Sequence, residues 1–103
     1  MNLLFICSRN KWRSPTAEAI FHNSLDHHAR SAGTSDRARV KVNDSMIDWA
    51  DLIFVMENRH RQILQQRFAT DKKIIVLDIE DEYQYMDEEL VNMIKCGVSP
   101  YLK

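Results

Sequence analysis

The chain is poor in the residues that punctuate, staple or anchor a protein. Glycine, proline and cysteine each occur only twice in 103 residues, which excludes collagen-like, linker-rich and low-complexity organisation, and no internal repeat is present. The two cysteines, Cys7 and Cys96, sit at opposite ends and make neither a disulfide framework nor a metal-binding spacing. Long hydrophobic runs are also missing. Leu52 to Met56 and Ile74 to Leu77 are too short to span a bilayer, and Met1-Asn2-Leu3-Leu4 lacks the basic region of a secretion signal. A cytoplasmic protein without membrane contact is therefore expected. His22, His27, His28 and His60 show no metal-ligand arrangement, since His27 and His28 are adjacent and point to different helix faces. Surface or packing roles are expected for them, and a packing role for Cys96 in the last helix.

What is present is an ordinary globular balance, 45% apolar and 28% charged residues, in a length that suits one domain over 1–103. The net charge of −1 hides an asymmetry. Arg9, Lys11, Arg13, Arg30, Arg37, Arg39 and Lys41 lie in the first half, while Asp78 to Glu89 holds seven acids. One pole should attract anions.

Continuous apolar runs at Leu3 to Ile6, Asp51 to Met56 and Lys73 to Leu77 have the pattern of strands buried on both faces of a parallel sheet. A further short strand is expected near His28 to Ala32. Ser14-Pro15 reads as a helix start, with Ser14 as the cap and Pro15 at the first helical position. Ala17, Ile20, Phe21, Ser24, Leu25 and His28 then recur at helical spacing, predicting a helix over about 15–28. Ile63, Leu64 and Phe68 mark another helix. A last one begins at Asp87, with Glu88 and Glu89 in its first turn and Leu90, Val91, Met93 and Ile94 facing inward. Alternating strands and helices indicate an α/β fold, a doubly wound sheet of four parallel strands flanked by helices. Ligands of such sheets bind at the carboxyl ends of the strands, where the loops after Cys7 and Asp78 would open on the same edge.

Between Cys7, at the end of a buried strand, and Ser14, at the start of a helix, residues 8–13 must curl into a tight loop. Successive N–H groups turned into such a loop, with the positive end of the following helix, form an anion-binding nest. The same surroundings favour thiolate over thiol at Cys7, and thiolate is the nucleophilic form. Arg13 supplies a planar fork for two phosphate oxygens, and Ser14 can donate its hydroxyl to the sulfur. Taken singly, Cys7 could be a small buried hydrophobe and Ser-Pro a mere helix start. Their joint placement is much harder to obtain from packing alone.

The segment Cys7-Ser8-Arg9-Asn10-Lys11-Trp12-Arg13-Ser14-Pro15-Thr16-Ala17-Glu18-Ala19 resembles the phosphate-binding signature of the low-molecular-weight protein tyrosine phosphatases. Ser31 to Thr34, Ala38-Arg39 and Trp49 to Glu57 resemble later elements of that family in order. The resemblance implies a phosphatase acting through a phosphocysteine intermediate without any cofactor or metal. Cys7 would be the nucleophile, Arg13 the phosphate clamp, Ser14 the partner of the thiolate and Asn10 a shaper of the loop. Ser8, Arg9, Lys11 and Trp12 would bind the substrate with them. The family's general acid, the aspartate of an Asp-Pro-Tyr sequence, is matched by Asp81-Glu82-Tyr83, with Asp78 as the rival acid. Tyr83 and Tyr85 could wall an aromatic substrate or be half-buried packing residues. The implied partners are phosphorylated proteins, phosphotyrosine above all, or small phosphate esters, with phosphate-like anions in the loop and no nucleic acid.

Three departures stand out. Arg9 replaces a glycine, Trp12 stands where some members carry a second cysteine, and only Ser35, Asp36 and Arg37 separate two elements that the family joins by a longer segment. Three other functions compete. Arsenate reduction would need more cysteines, a cysteine phosphocarrier would not need Arg13 and an acid, and a non-catalytic phosphate-binding module would use the basic pole alone.

Overall fold

Alternate residues of the first strand face opposite ways, and this alternation fixes the layers of the molecule. The computed structural model describes residues 1–22 and 26–102. Within them, strand β1 (Asn2–Cys7) runs at the centre, paired in parallel with β2 (His28–Gly33) on one side and β3 (Leu52–Val55) on the other, and β3 pairs in parallel with β4 (Ile74–Val76). The strand order is β2-β1-β3-β4. Leu3, Phe5 and Cys7 point to one face, where helix α1 (Arg13–Phe21) brings Ala17 and the last helix brings Leu90, Ile94 and Val98. Leu4 and Ile6 point to the other, against Ile47 of α2 (Asp44–Trp49) and Leu64 of α3 (Asn58–Arg67). Four parallel strands with helices on both faces are the α/β architecture expected from the sequence. Burial on both faces is why its strands read as unbroken apolar runs.

The elements depart from the expectations in four places. Helix α1 starts at Arg13, with Trp12 as a cap residue that contributes no side-chain hydrogen bond. Ser14 therefore lies inside the first turn and turns its hydroxyl elsewhere. Pro15 follows within that turn, where the missing N–H has no helical partner to lose. The helix expected over about 15–28 ends at Phe21, and His28 opens β2; Ser24 and Leu25 lie outside the described residues. Helix α2 has no counterpart in the periodicity reading, although Asn43 caps it by accepting from Met46 N at 2.9 Å. Cys96, expected to pack, is exposed on the last helix, α4 (Glu88–Val98). Asp87 caps α4 as expected, accepting from Glu89 N at 2.9 Å and Leu90 N at 3.4 Å. Among the described residues, no helix is long and apolar enough to cross a membrane.

In the order β2-β1-β3-β4 the chain moves first to one side of β1 and then to the other, so its switch point lies between β1 and β3. Crevices outside the carboxyl ends of such strands bind ligands. Cys7 and Glu57 flank this crevice in sequence, one ending β1 and the other following β3.

Candidate active site

The loop after β1 is held by the segment that follows β2. Thr34 N donates to Cys7 O at 3.0 Å, Ser35 N to Ser8 O at 2.9 Å and Arg39 N to Arg9 O at 3.0 Å, while Arg39 Nε donates to Asn10 O at 3.2 Å. The short Ser35-Asp36-Arg37 connection thus forms an outer brace of the loop. Gly33 is required there by close approach, because a Cβ would collide with Ser8 O and come within 3.0 Å of Asn10 N. Asn10 bends the loop with φ of +56°, a left-handed conformation that asparagine tolerates better than most residues. Arg9 is not among the described residues of positive φ. Its backbone therefore accepts a side chain, so arginine fits where the resemblance led to an expectation of glycine.

Around Cys7 the donors form a chain. Asn10 Nδ2 donates to Ser14 Oγ at 2.8 Å, and Ser14 Oγ lies 2.9 Å from Cys7 Sγ. Because the serine oxygen already accepts from Asn10, its own proton is free to go to the sulfur, with Ala32 O a longer alternative at 3.4 Å. Asn10 N also donates to the sulfur, at 3.2 Å. Two donors thus address one buried sulfur atom.

Arg13 is 1% exposed. Its Nη1 donates to Glu57 Oε2 at 2.6 Å and to Ile79 O at 2.7 Å, which occupies both hydrogens of that nitrogen. The Nε–Nη2 edge is thereby left as the fork for a ligand. Glu57 carries a second cation, Arg59, whose Nη2 donates to the same Oε2 at 3.0 Å. Partial burial opposes the charge on Glu57, but the hydrogen bonds from Arg59 and Arg13 and their positive charges outweigh it, lowering its carboxyl to about 2. Glu57 is a fixed anion at any working pH.

His60 lies 2.9 Å through Nε2 from Ser8 Oγ. Its Nδ1 accepts from Glu57 N at 3.1 Å, so the neutral ring carries its proton on Nε2 and donates to the serine. Burial first, then the charges of Arg13 and Arg59, lowers its pKa to about 4. Ser8 is consequently an acceptor toward His60 and keeps its own proton for the pocket. His60, expected on the surface or in packing, is fully buried and belongs to the site's hydrogen-bond network.

Cys7, Ser8, Arg9, Lys11, Trp12, Arg13, Arg59 and Asp81 line one pocket of about 370 Å³. Asp81 Oδ1 stands 3.7 Å from Arg13 Nε with its side chain 59% exposed. Asp78, the rival acid, lies in a separate depression with Glu57, Asn58, Arg59 and Glu80 and takes φ of +56°. Asn10 and Ser14 lie behind the loop rather than in the pocket wall. Tyr83 is turned from the pocket, packed against the core beside Met93, with its hydroxyl 3.5 Å from Glu89 Oε1. The half-buried packing role is the one its contacts describe. Tyr85 is exposed and lines a neighbouring groove with Lys11, Pro15 and Arg39. Glu57 and Arg59 have no assigned site role in the sequence reading, and His60 has only a surface or packing one. Their signal was their position just past the carboxyl end of a parallel strand, where charged residues have a reason to serve a ligand.

A buried cysteine addressed by two donors and an anchored arginine thus lie together in one pocket at the switch point of a parallel sheet. Residues 2–48 match the family model described as low molecular weight phosphotyrosine protein phosphatase, which bears out the resemblance read from the sequence. The chain is 26% identical over 96 residues to a protein-arginine-phosphatase of Bacillus subtilis (strain 168), a match over 67% of this chain and 64% of that protein. It thus spans less than two thirds of that relative's length. In structure it is similar to an arginine phosphatase from Geobacillus stearothermophilus, with a TM-score of 0.77 and 22% identity over 97% of this chain and 92% of that one. A low molecular weight protein tyrosine phosphatase from Streptococcus pyogenes gives 0.79 and 19% over 98% and 90%. The tyrosine phosphatase Wzb from Escherichia coli K30, solved with phosphate, gives 0.75 and 21% over 97% and 94%.

Proposed function

We propose that the chain hydrolyses phosphate monoesters on proteins, phosphotyrosine first among them, through a phosphocysteine intermediate. The observation that carries this reading is the sulfur of Cys7 receiving Asn10 N at 3.2 Å and facing Ser14 Oγ at 2.9 Å in a pocket it shares with Arg13 and Asp81. The thiolate attacks phosphorus while the ester P–O bond breaks. Arg13 and the loop N–H groups take the charge on the equatorial oxygens. Asp81 gives its proton to the leaving oxygen, then as a carboxylate takes one from the water that attacks phosphocysteine, releasing phosphate and the thiolate. An acid at the pocket favours hydrolysis over a phosphocarrier or a passive phosphate-binding module, neither of which must protonate a leaving group.

Two of the relatives are named arginine phosphatases. Here Arg9, Lys11 and Arg59 line the pocket with Arg13, and that much positive charge disfavours a leaving group that departs as a guanidinium. The phenol of phosphotyrosine has no such conflict. Turnover of an aryl phosphate by the purified chain, and its loss in Cys7→Ser with phosphate binding retained, is the test. Normal turnover by Cys7→Ser refutes the mechanism. Faster hydrolysis of phosphoarginine than of phosphotyrosine refutes the substrate assignment.

A further inference from the structure

The pocket holds more positive charge than one phosphoryl group needs. Arg13 and the loop can hold the transferring group by themselves, yet Arg9, Lys11 and Arg59 also line the pocket, against Asp81 as the one carboxylate. Arg59 is the most firmly directed of the three. Its Nη2 bonds Glu57 Oε2 at 3.0 Å, the same oxygen that takes Arg13 Nη1 at 2.6 Å. Two guanidinium groups therefore meet on one carboxylate atom, one of them buried and the other 57% exposed. That bond engages one of the five N–H groups of Arg59 and leaves the rest for a ligand. The hydrogen bond to Glu57 first, and the neighbouring acidic charges after it, hold the Arg59 guanidinium charged, and Arg59 lines the same pocket as Asp81 and Cys7. With Tyr83 turned toward α4, Trp12 is the aromatic residue of the pocket lining, and its ring already carries Lys11 Nζ at 4.7 Å.

We propose that Arg59, with Arg9 and Lys11 on the same rim, forms a subsite for a second anionic group, so that the substrates are phosphate monoesters whose leaving group bears another negative charge beside the ester. This rests on the reading of Cys7 and Arg13 as the hydrolytic centre. Arg13 fixes the phosphoryl group, and the leaving group emerges past Asp81 into the field of Arg59. A carboxylate or second phosphate there accepts N–H groups that a neutral leaving group leaves solvated, a charge-assisted contact with the geometry that guanidinium suits best. No new bond is made or broken. The subsite acts on binding and orientation.

The test compares matched substrates. Phenyl phosphates carrying a meta carboxylate or the corresponding carboxamide probe small esters. Phosphotyrosine peptides with aspartate or asparagine beside the phosphotyrosine probe proteins. The parent chain should prefer the charged member of at least one pair by about tenfold in kcat/KM, the effect of one charge-assisted hydrogen bond, and the pair that shows it identifies the source of the anion. Arg59→Gln, which keeps a hydrogen-bond donor for Glu57, should bring that ratio close to unity, as should raised salt. Equal rates on both members of both pairs by an active parent, or a ratio unchanged in Arg59→Gln, overturns the subsite while leaving the hydrolytic reading intact. Failure of the parent on every aryl phosphate refutes the hydrolytic reading itself, and with it the subsite.

Discussion

The buried ring of His60 donates from Nε2 to the hydroxyl of Ser8, 2.9 Å away, and so ties helix α3 to the loop that surrounds Cys7. The contact works only with a neutral ring, since Nδ1 is already an acceptor for Glu57 N. Folded His60 takes a proton only near pH 4, whereas an unfolded histidine does so near 6.5. The unfolded state thus binds more protons between these values. The contribution of His60 to stability is complete above about 6.5 and is lost as pH falls through that window. Glu57, with its carboxyl lowered to about 2 from 4.5, adds a second loss below pH 4.5. Urea denaturation of His60→Gln across pH 4–6.5 should show a shallower acid loss than the parent, by about one proton's slope. Equal slopes would mean that the ring is not held neutral.

The Ser8 proton released toward the pocket gives a companion expectation. Ser8→Ala should raise KM by about ten- to a hundredfold, the size of one hydrogen bond to a charged group. His60→Gln should add little in the Ser8→Ala background, because the two residues act through one contact. Full additivity in a double-mutant cycle would separate them.

Gly33 bears on the loop through backbone alone. In Gly33→Ala the new methyl meets Ser8 O and lies 2.7 Å from Ala38 Cβ, so the loop must move. Overpacking of this kind costs about 1–3 kcal/mol, and on the proposed mechanism displacement of the loop after β1 should lower kcat/KM by about 10²-fold. Parent-like activity in a folded Gly33→Ala would show that loop position is not critical.

Lys72 provides the contrast, a stabilising contact away from the pocket. Its Nζ donates to Ile47 O at 2.6 Å, Asp48 O at 2.5 Å and Ala50 O at 2.6 Å, closing the carbonyl end of α2 with a cation. Lys72→Met should reduce unfolding free energy by about 1–2 kcal/mol and leave kcat/KM unchanged. A change in kcat/KM would reveal a link between α2 and the site that no contact here suggests.

On the proposed reading Asp81 is the acid, because Asp81 lines the pocket with Cys7 whereas Asp78 lies in a separate depression. Asp81→Asn should slow phosphate esters with basic leaving groups by about 10²–10⁴-fold, and activated ones such as nitrophenyl phosphate much less. Asp78→Asn should leave this dependence intact. Leaving-group sensitivity confined to the Asp78 variant would exchange the two roles.

How much of this was legible in the sequence follows from how the site is assembled. Cys7, Arg13 and Ser14 lie within eight consecutive residues, so strand, loop and helix could be read as one unit, and the sheet could be read because its strands are buried on both faces. Glu57, Arg59 and His60 reach that loop only because β3 pairs beside β1, a relation that spacing does not encode. Helix α2 buries Ile47 alone among its six residues and gives almost no periodic signal. Ser14 looked like a cap because serine before proline usually is one; here the sulfur and Asn10 compete for its hydroxyl and win. Tyr83 matched a motif position, yet the contacts of α4 decide where its ring packs.

The central claim is that phosphorus passes through Cys7. Mixing the purified chain with an aryl phosphate, quenching in acid within the first turnovers and mapping peptides by mass spectrometry tests it directly. The account predicts one added phosphoryl group on the peptide containing Cys7, accumulating further in Asp81→Asn with an activated substrate and absent in Cys7→Ala. Substrate turnover with no phosphorylated Cys7 peptide at any time, or turnover that persists in Cys7→Ala, would contradict it.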